Sequence, residues 1–277
     1  MGKRLKKVLG GRKVGMKNLK KYFKIWLLMS KNSFLAVFNQ RMALSIFLIG
    51  KILRFFFFFV FIIFLLKGTK SLAGYNLNQT LLFFFTFNLV DTISQFLFRE
   101  VYRFRPLIVS GGFDLVLSKP VNALFRSLMG GADVIDLITI IPLTIATFYI
   151  ASLLNPSILH TTFYILLVLN GLIIASAFHI FVLGLGIVTL EIDRTIMIYR
   201  DLFNLGRFPI DIYKEPLRGI ITFLIPIGVM VSFPAKAIMG LMTPMGILWS
   251  IVFGILTLFL SLKFWNFALK KYTSASS

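Results

Sequence analysis

From Phe55 to Leu66 the chain carries nothing but apolar side chains, and this run is the second half of a longer apolar stretch that starts at Met42. A stretch of that length and composition is stable as an α-helix across a bilayer. About 20 apolar residues at 1.5 Å each cover the roughly 30 Å hydrocarbon core, and a helix satisfies its own backbone groups there. Comparable stretches recur at 80–98, 134–154, 163–190, 216–233 and 247–262. Together with 42–66 they predict an all-α polytopic membrane protein with six transmembrane helices. Only 14% of the 277 residues are charged and 58% are hydrophobic, against roughly 25% charged in soluble domains. A water-soluble globule, a disordered chain and a collagen-like chain are thereby excluded. Cysteine is absent, which removes disulfide frameworks and thiolate metal sites.

The six stretches are not equally clean. Lys51 and Arg54 fall in the first half of 42–66 and are expected to snorkel toward the inner interface. Pro142 permits a kink in 134–154, and 163–190, with 28 residues, is long enough to tilt. The fifth is the weakest. Its apolar part, 220–233, has 14 residues, about 21 Å of helix, so it is extended back to Pro216. Beyond it Pro234, Gly240, Pro244 and Gly246 bracket short apolar pieces, which predicts a half-helix or re-entrant hairpin over 234–246.

The formal charge is +20, from 30 Lys and Arg against 10 Asp and Glu. Fourteen of the basic residues precede Phe55 and no acid precedes Asp91. Beside an apolar span, such a run is a flank held to anionic lipid headgroups, worth about 1 kcal/mol per cation near the surface. No base-stacking module accompanies it, so nucleic acid is not the expected partner. Within the basic N-terminus, 1–41, Phe23, Trp26, Leu27, Met29 and Phe34 alternate at roughly helical spacing with Lys20, Lys21, Lys24 and Lys31. That pattern predicts an interfacial helix on the cytoplasmic leaflet. With both termini inside, the inner segments 1–54, 99–133, 191–219 and 263–277 hold 27 basic residues and the outer segments 3. The termini, including a tail over 267–277, are therefore expected in the cytoplasm.

Catalytic signatures are missing. The stretch GGRKVGMKN at 10–18 lacks the adjacent Lys-Ser/Thr of a phosphate loop, and no buried strand precedes it. His160 and His179 stand apart from any carboxylate cluster, and there is neither an HExxH nor a GxSxG segment, so no metal, cofactor or catalytic residue is assigned to this chain. Asp133 and Asp136 sit where they would cap and complement a helix start. Asn88, Asp91 and Gln95, at i, i+3 and i+7, share one helix face, and Asp91 is the one acid well inside a span. An intramembrane carboxylate is a functional candidate by default. Asn88, Asp91, Gln95 and His179 are accordingly candidates for a translocation path, with inter-helix packing as the alternative role.

The loop 99–133 is too patterned for a linker. Gly111 and Gly112 break the chain, and Val121, Leu124, Phe125 and Leu128 form an apolar stripe with Asn122 and Arg126 off it. A short amphipathic element with basic edges suits the groove of a soluble partner. The segment GFDLVLSKPVNALF, from Gly112 to Phe125, resembles the G-x-[LF]-D-x-L-L-x-[RK]-P-x-[SN]-x-L-F segment of a bacterial subfamily of ABC type-2 permeases. Arg207–Tyr213, RFPIDIY, followed by TFLIP from Thr222 and SFPA from Ser232, is similar to a second segment of the same family, with Phe208 for its usual tyrosine. The resemblance implies a six-span permease of the bacterial cytoplasmic membrane, working as an exporter. It also implies a second permease, identical or related, and separate cytoplasmic ATPase subunits that bring ATP and magnesium. It further implies a coupling helix that docks on the ATPase through Phe113, Asp114, Leu117, Lys119, Pro120, Val121, Leu124 and Phe125. From the residues themselves, two other readings stay open: an ATP-independent ion-coupled carrier or channel using Asp91 and His179, and a six-span enzyme acting on lipid.

Overall fold

The Phe-rich run folds into a 29-residue helix, long enough at 1.5 Å per residue to cross a bilayer with turns to spare. The computed structural model describes residues 16–273, and among these the chain is helical, with one isolated bridge between Leu72 and Tyr75. Most of the stretch at 10–18 lies outside the described residues. Helix α1 spans Met16–Phe38 and α2 Arg41–Thr69. Helix α3, Leu77–Phe98, opens on a capping box between Asn76 and Gln79. Three short helices follow, α4 (Phe104–Val109), α5 (Gly112–Ser118) and α6 (Ala123–Leu128). Helices α7 (Val134–Ser152) and α8 (Ile158–Thr189) come next, then α9 (Ile192–Phe203), α10 (Leu217–Leu224), α11 (Gly228–Ile238) and α12 (Pro244–Lys271). Five of these helices are long and apolar enough to cross a membrane, and α10 with α11 form a bent pair. The fold is that of an all-α multi-pass membrane protein.

The seam between α8 and α12 is built from small residues, which let two backbones approach where lipid offers no hydrophobic driving force. Asn170 of α8 donates to the Ser250 carbonyl at 2.8 Å and fills the space over Gly254. Further along, Phe264 covers Gly184. Helix α12 runs nine residues beyond the expected end at 262, because Trp265 and Ala268 keep a buried face past Lys263. Helix α3 is enclosed along most of its length, whereas α2 stands at the periphery with only Ile62 and Leu66 buried.

The expected fifth span at 216–233 is not continuous. It breaks between Leu224 and Gly228, and its two halves meet at 76°. Pro226 supplies no amide hydrogen at that break. The discontinuity therefore falls inside the expected span, upstream of the hairpin read at 234–246. A different segment runs the length of the bundle beside α3. Ile192 packs on Gly186, and Asp193 accepts from Arg105 at 3.1 Å, both next to the loop 99–133. Tyr199 lies against His179, and Phe203 stacks on Phe87 in the middle of α3. Phe208 meets Phe58, which itself stacks on Phe84, and Asp211 accepts from Tyr75, beyond the start of α3. Residues 192–212 thus run antiparallel to α3 along its whole length, from Arg105 beyond its end to Tyr75 before its start. From Asp211 the chain dips back as α10 and α11 and returns to the same side, where Gly240 touches His160 at the start of α8.

Two glycines admit this hairpin. A Cβ at Gly171 would stand 2.5 Å from the Met230 carbonyl, and one at Gly206 would stand 2.6 Å from Ile227. Gly171→Ala should lower stability by about 1–3 kcal/mol in thermal unfolding of the detergent-solubilised protein, while Gly68→Ala, with nothing within 4 Å, should not. Because the chain has no cysteine, single-cysteine labelling reads its sidedness directly. Lys70→Cys and Lys214→Cys should react with an impermeant maleimide from one face of the membrane and Lys119→Cys from the other.

Candidate translocation path and docking loop

The polar face of α3 turns inward as the i, i+3, i+7 spacing requires. Asn88 is buried and donates to the Phe84 carbonyl of its own helix at 2.7 Å. Gln95 donates to Asp91 at 2.8 Å. His179 is buried on α8, its Nδ1 donating to the Ala175 carbonyl at 2.8 Å, and its ring lies among Phe98, Tyr102 and Tyr199. Its Nε2 has no partner. Asp91 and His179 are therefore not hydrogen-bonded to each other, and the titratable pair of the carrier reading does not form in this arrangement. Lys51 reaches the start of α7 and pairs there with Asp136, while Arg99 pairs with Asp133 at 3.1 Å. Asp133 also caps α7 by accepting from the Ile135 amide at 2.8 Å.

Above this polar level lies a lattice of rings. Phe58 stacks on Phe84 with centroids 5.2 Å apart, and Phe203 on Phe87 at 5.0 Å. The Arg207 guanidinium sits between the two stacks, 5.4 Å from the Phe58 centroid and 5.9 Å from that of Phe87. At the far end the Lys236 ammonium lies 2.8 Å from both oxygens of Asp211, which also accepts from Tyr75 at 3.0 Å. Burial, and secondarily the Asp211 carboxylate, push the Tyr75 phenol well above the usual tyrosine range, so it stays a donor. Three segments remote in sequence close on one carboxylate. The RFPIDIY segment thus holds the end of 192–212 in place: Tyr213 donates back to the Leu205 carbonyl at 2.9 Å, and Ile210 is buried.

The loop 99–133 is folded onto the bundle rather than offered whole to a partner. Gly111, at φ 72°, takes the left-handed conformation that starts α5. Phe113 is fully buried, its ring edge-on to Phe104 at 5.2 Å and to Tyr272 at 5.1 Å, with Trp265 beyond. It anchors the loop and cannot itself touch another protein. Asp114 faces the Tyr272 hydroxyl, whose pKa rises through burial first and then that carboxylate. Asn122 caps α6 by accepting from the Phe125 amide at 3.0 Å, and the Tyr22 ring of α1 lies 4.8 Å from Phe125. The apolar stripe of Val121, Leu124, Phe125 and Leu128 is thus largely used within the chain: Leu128 is buried, and Leu124 and Phe125 are half-buried. Leu117 and Val121 are half-buried, whereas Leu115, at 66% relative exposure, Lys119 and Pro120 face outward. Helix α1 is fixed across the loop by Tyr22, by Trp26 against Phe96, and by Ser30 accepting from the Ala132 amide at 3.3 Å.

The sequence pattern of the ABC-2 family transporter proteins matches residues 48–276, from within α2 to the C-terminal end. The chain belongs to the ABC-2 transporter family. It is accordingly the membrane permease component of an ABC transporter, and permeases of this family work with cytoplasmic ATPases. No curated protein and no solved structure matches the chain. Among the described residues no group of three or more His, Asp or Glu side chains is placed to hold a metal ion. In this ABC-2 permease, Leu115 and the Asp211 tie are the features that motif reading passed over. The i, i+4 spacing of Leu115 and Lys119 could have flagged the first; only the fold brings Tyr75 and Lys236 to the second.

Asp211→Ala strands the half-buried Lys236 ammonium and should cost about 1–3 kcal/mol in thermal unfolding. Tyr75→Phe removes one hydrogen bond and should cost about 1 kcal/mol. Asp211→Ala combined with Lys236→Met should recover part of the larger loss.

Proposed function

We propose that this permease belongs to an exporter of the bacterial cytoplasmic membrane, with both termini in the cytoplasm and ATP and magnesium held by a separate ATPase. A second permease, identical or related, completes the pathway. The ATPase seats on the exposed edge of the loop between α3 and α7, formed by Leu115, Lys119, Pro120 and the outer flank of α4. The observation that carries this reading is the Phe113 plug. It ties that exposed edge to α12 through Trp265 and Tyr272, so a push on the loop reaches a bundle helix without passing through a flexible linker. Val121, Leu124 and Phe125 act at second hand, through the Tyr22 contact that seats α1. The charge distribution supports the orientation: with residues 211–246 outside, the outer side gains Lys214 and Arg218, and the inner side still carries most of the basic residues.

ATP then drives transport only through its different affinity for two packings of the assembly. Closure of the ATPases moves the docked loops, and the permease pair shifts between inward-open and outward-open states. Two substitutions test the docking edge. Leu115→Asp with Lys119→Glu should abolish copurification of the ATPase and its stimulated hydrolysis, with thermal stability unchanged because both side chains are exposed. Unaltered copurification and hydrolysis would reject docking at this edge.

A further inference from the structure

Helix α1 leaves a groove of about 470 Å³ between itself and the bundle. One wall is the face of α1 from Trp26 to Phe38, and the other is Phe96 near the end of α3 with Leu137 near the start of α7. The groove is apolar and open: Leu27, Leu35, Phe38 and Leu137 are 47, 52, 47 and 38% exposed. It lies where the spans end, because Trp26 meets Phe96 edge-on two residues before α3 closes, and Ser30 accepts from the Ala132 amide just ahead of α7. Along its edge Lys20, Lys24, Leu27, Lys31, Leu35 and Phe38 follow one another at steps of three and four, so cations and apolar side chains share one stripe. Helix α1 contains no acid, and Lys20, Lys24 and Lys31 are exposed with no carboxylate within ion-pair distance among the described residues. Trp26 adds an unmatched donor, since its indole Nε1 is buried with no hydrogen-bond partner, a state that costs free energy until an acceptor is supplied.

We propose that this groove is a binding site for one anionic phospholipid of the adjoining leaflet. Its phosphate sits over Leu27 between Lys24 and Lys31, an ester oxygen accepts from the Trp26 indole, and one acyl chain runs past Phe34 and Leu35 to Phe38. From Leu27 to Phe38 is about 16 Å of helix, against roughly 15 Å for the hydrocarbon of one leaflet. The charge selects the occupant. A second copy of the chain would bring the same lysines and no acid to this face, and a zwitterionic lipid would set its own cation against them. A lipid in the groove also seats α1 on the loop 99–133. The Tyr22 hydroxyl accepts from the Asn122 amide at 3.2 Å, and its ring lies against Phe125. The site itself does not depend on the exporter reading.

The full-length protein purified in dodecyl maltoside is titrated with dioleoylphosphatidylglycerol, dioleoylphosphatidylcholine and inorganic phosphate, and bound lipid is counted by native mass spectrometry. One phosphatidylglycerol per chain should be retained, about tenfold tighter than phosphatidylcholine. Lys24→Gln combined with Lys31→Gln should erase that preference. Leu35→Glu, which sets a carboxylate in the path of the acyl chain, should weaken phosphatidylglycerol by about tenfold or more. All three side chains are exposed, so thermal unfolding without lipid should stay as in the parent. Phosphatidylglycerol brominated in its acyl chains should quench tryptophan fluorescence saturably, and the saturable part should vanish in Trp26→Phe and persist in Trp249→Phe. Lys67→Gln, exposed in the last turn of α2, should change nothing. Equal retention of the two lipids, Leu35→Glu binding like the parent, or saturable quenching that survives Trp26→Phe would each overturn the proposal. Displacement of the lipid by inorganic phosphate at the same concentration would overturn it in favour of a free-anion site. A two-chain species that Leu35→Glu splits without loss of lipid would overturn it in favour of a second copy in the groove.

Discussion

Asp211 is held by an ammonium and a phenol that come from two other parts of the chain, and through that carboxylate three segments remote in sequence meet at one end of the bundle. Lys236 balances its charge through both oxygens, and Tyr75 donates a further hydrogen bond to one of them. Without both, an acid at this depth would be drawn back toward water. With them, the stretch from Ile192 upward is pinned at its far end, where it meets the bent pair of α10 and α11. The same carboxylate therefore joins the end of 192–212 to α11, which carries Lys236, and to the turn before α3, which carries Tyr75.

The apolar runs that make α2, α3, α7, α8 and α12 are visible as runs, because a helix facing lipid or a packed core must be apolar almost all round. Residues 192–212 escape that test. Asp193, Arg194, Arg200 and Asp201 dilute the hydropathy, yet Ile192, Ile196, Tyr199 and Phe203 recur at steps of three and four and mark the face that packs on α8 and α3. Amphipathic spacing held the signal that summed hydropathy lost. The pairing of Lys51 with Asp136, 85 residues away, has no local signature, so a lysine near a helix end reads as snorkelling. The spacing in the loop 99–133 located its apolar positions, but not which neighbours consume them: Phe113 goes to α12 and Phe125 to α1.

The permease is stiff in one place and lightly attached in another. Helices α8 and α12 interlock through Asn170, Gly254, Gly184 and Phe264, and the hairpin is wedged against the same wall at Gly171. Helix α2 meets the rest through Phe58, Phe59 and the Lys51 pair, and leaves most of its length bare. A rearrangement that moves α2 breaks few contacts.

The mixed character of residues 192–212 bears on how the chain reaches the membrane during synthesis. A translocon sorts each emerging segment by its apolarity, and this one, with its acids and arginines, is too polar to partition by itself. The helices whose grooves receive it are made earlier, and Lys236, which fixes its far end, leaves the ribosome later. The segment therefore emerges after the helices whose grooves receive it and before the lysine that ties its far end.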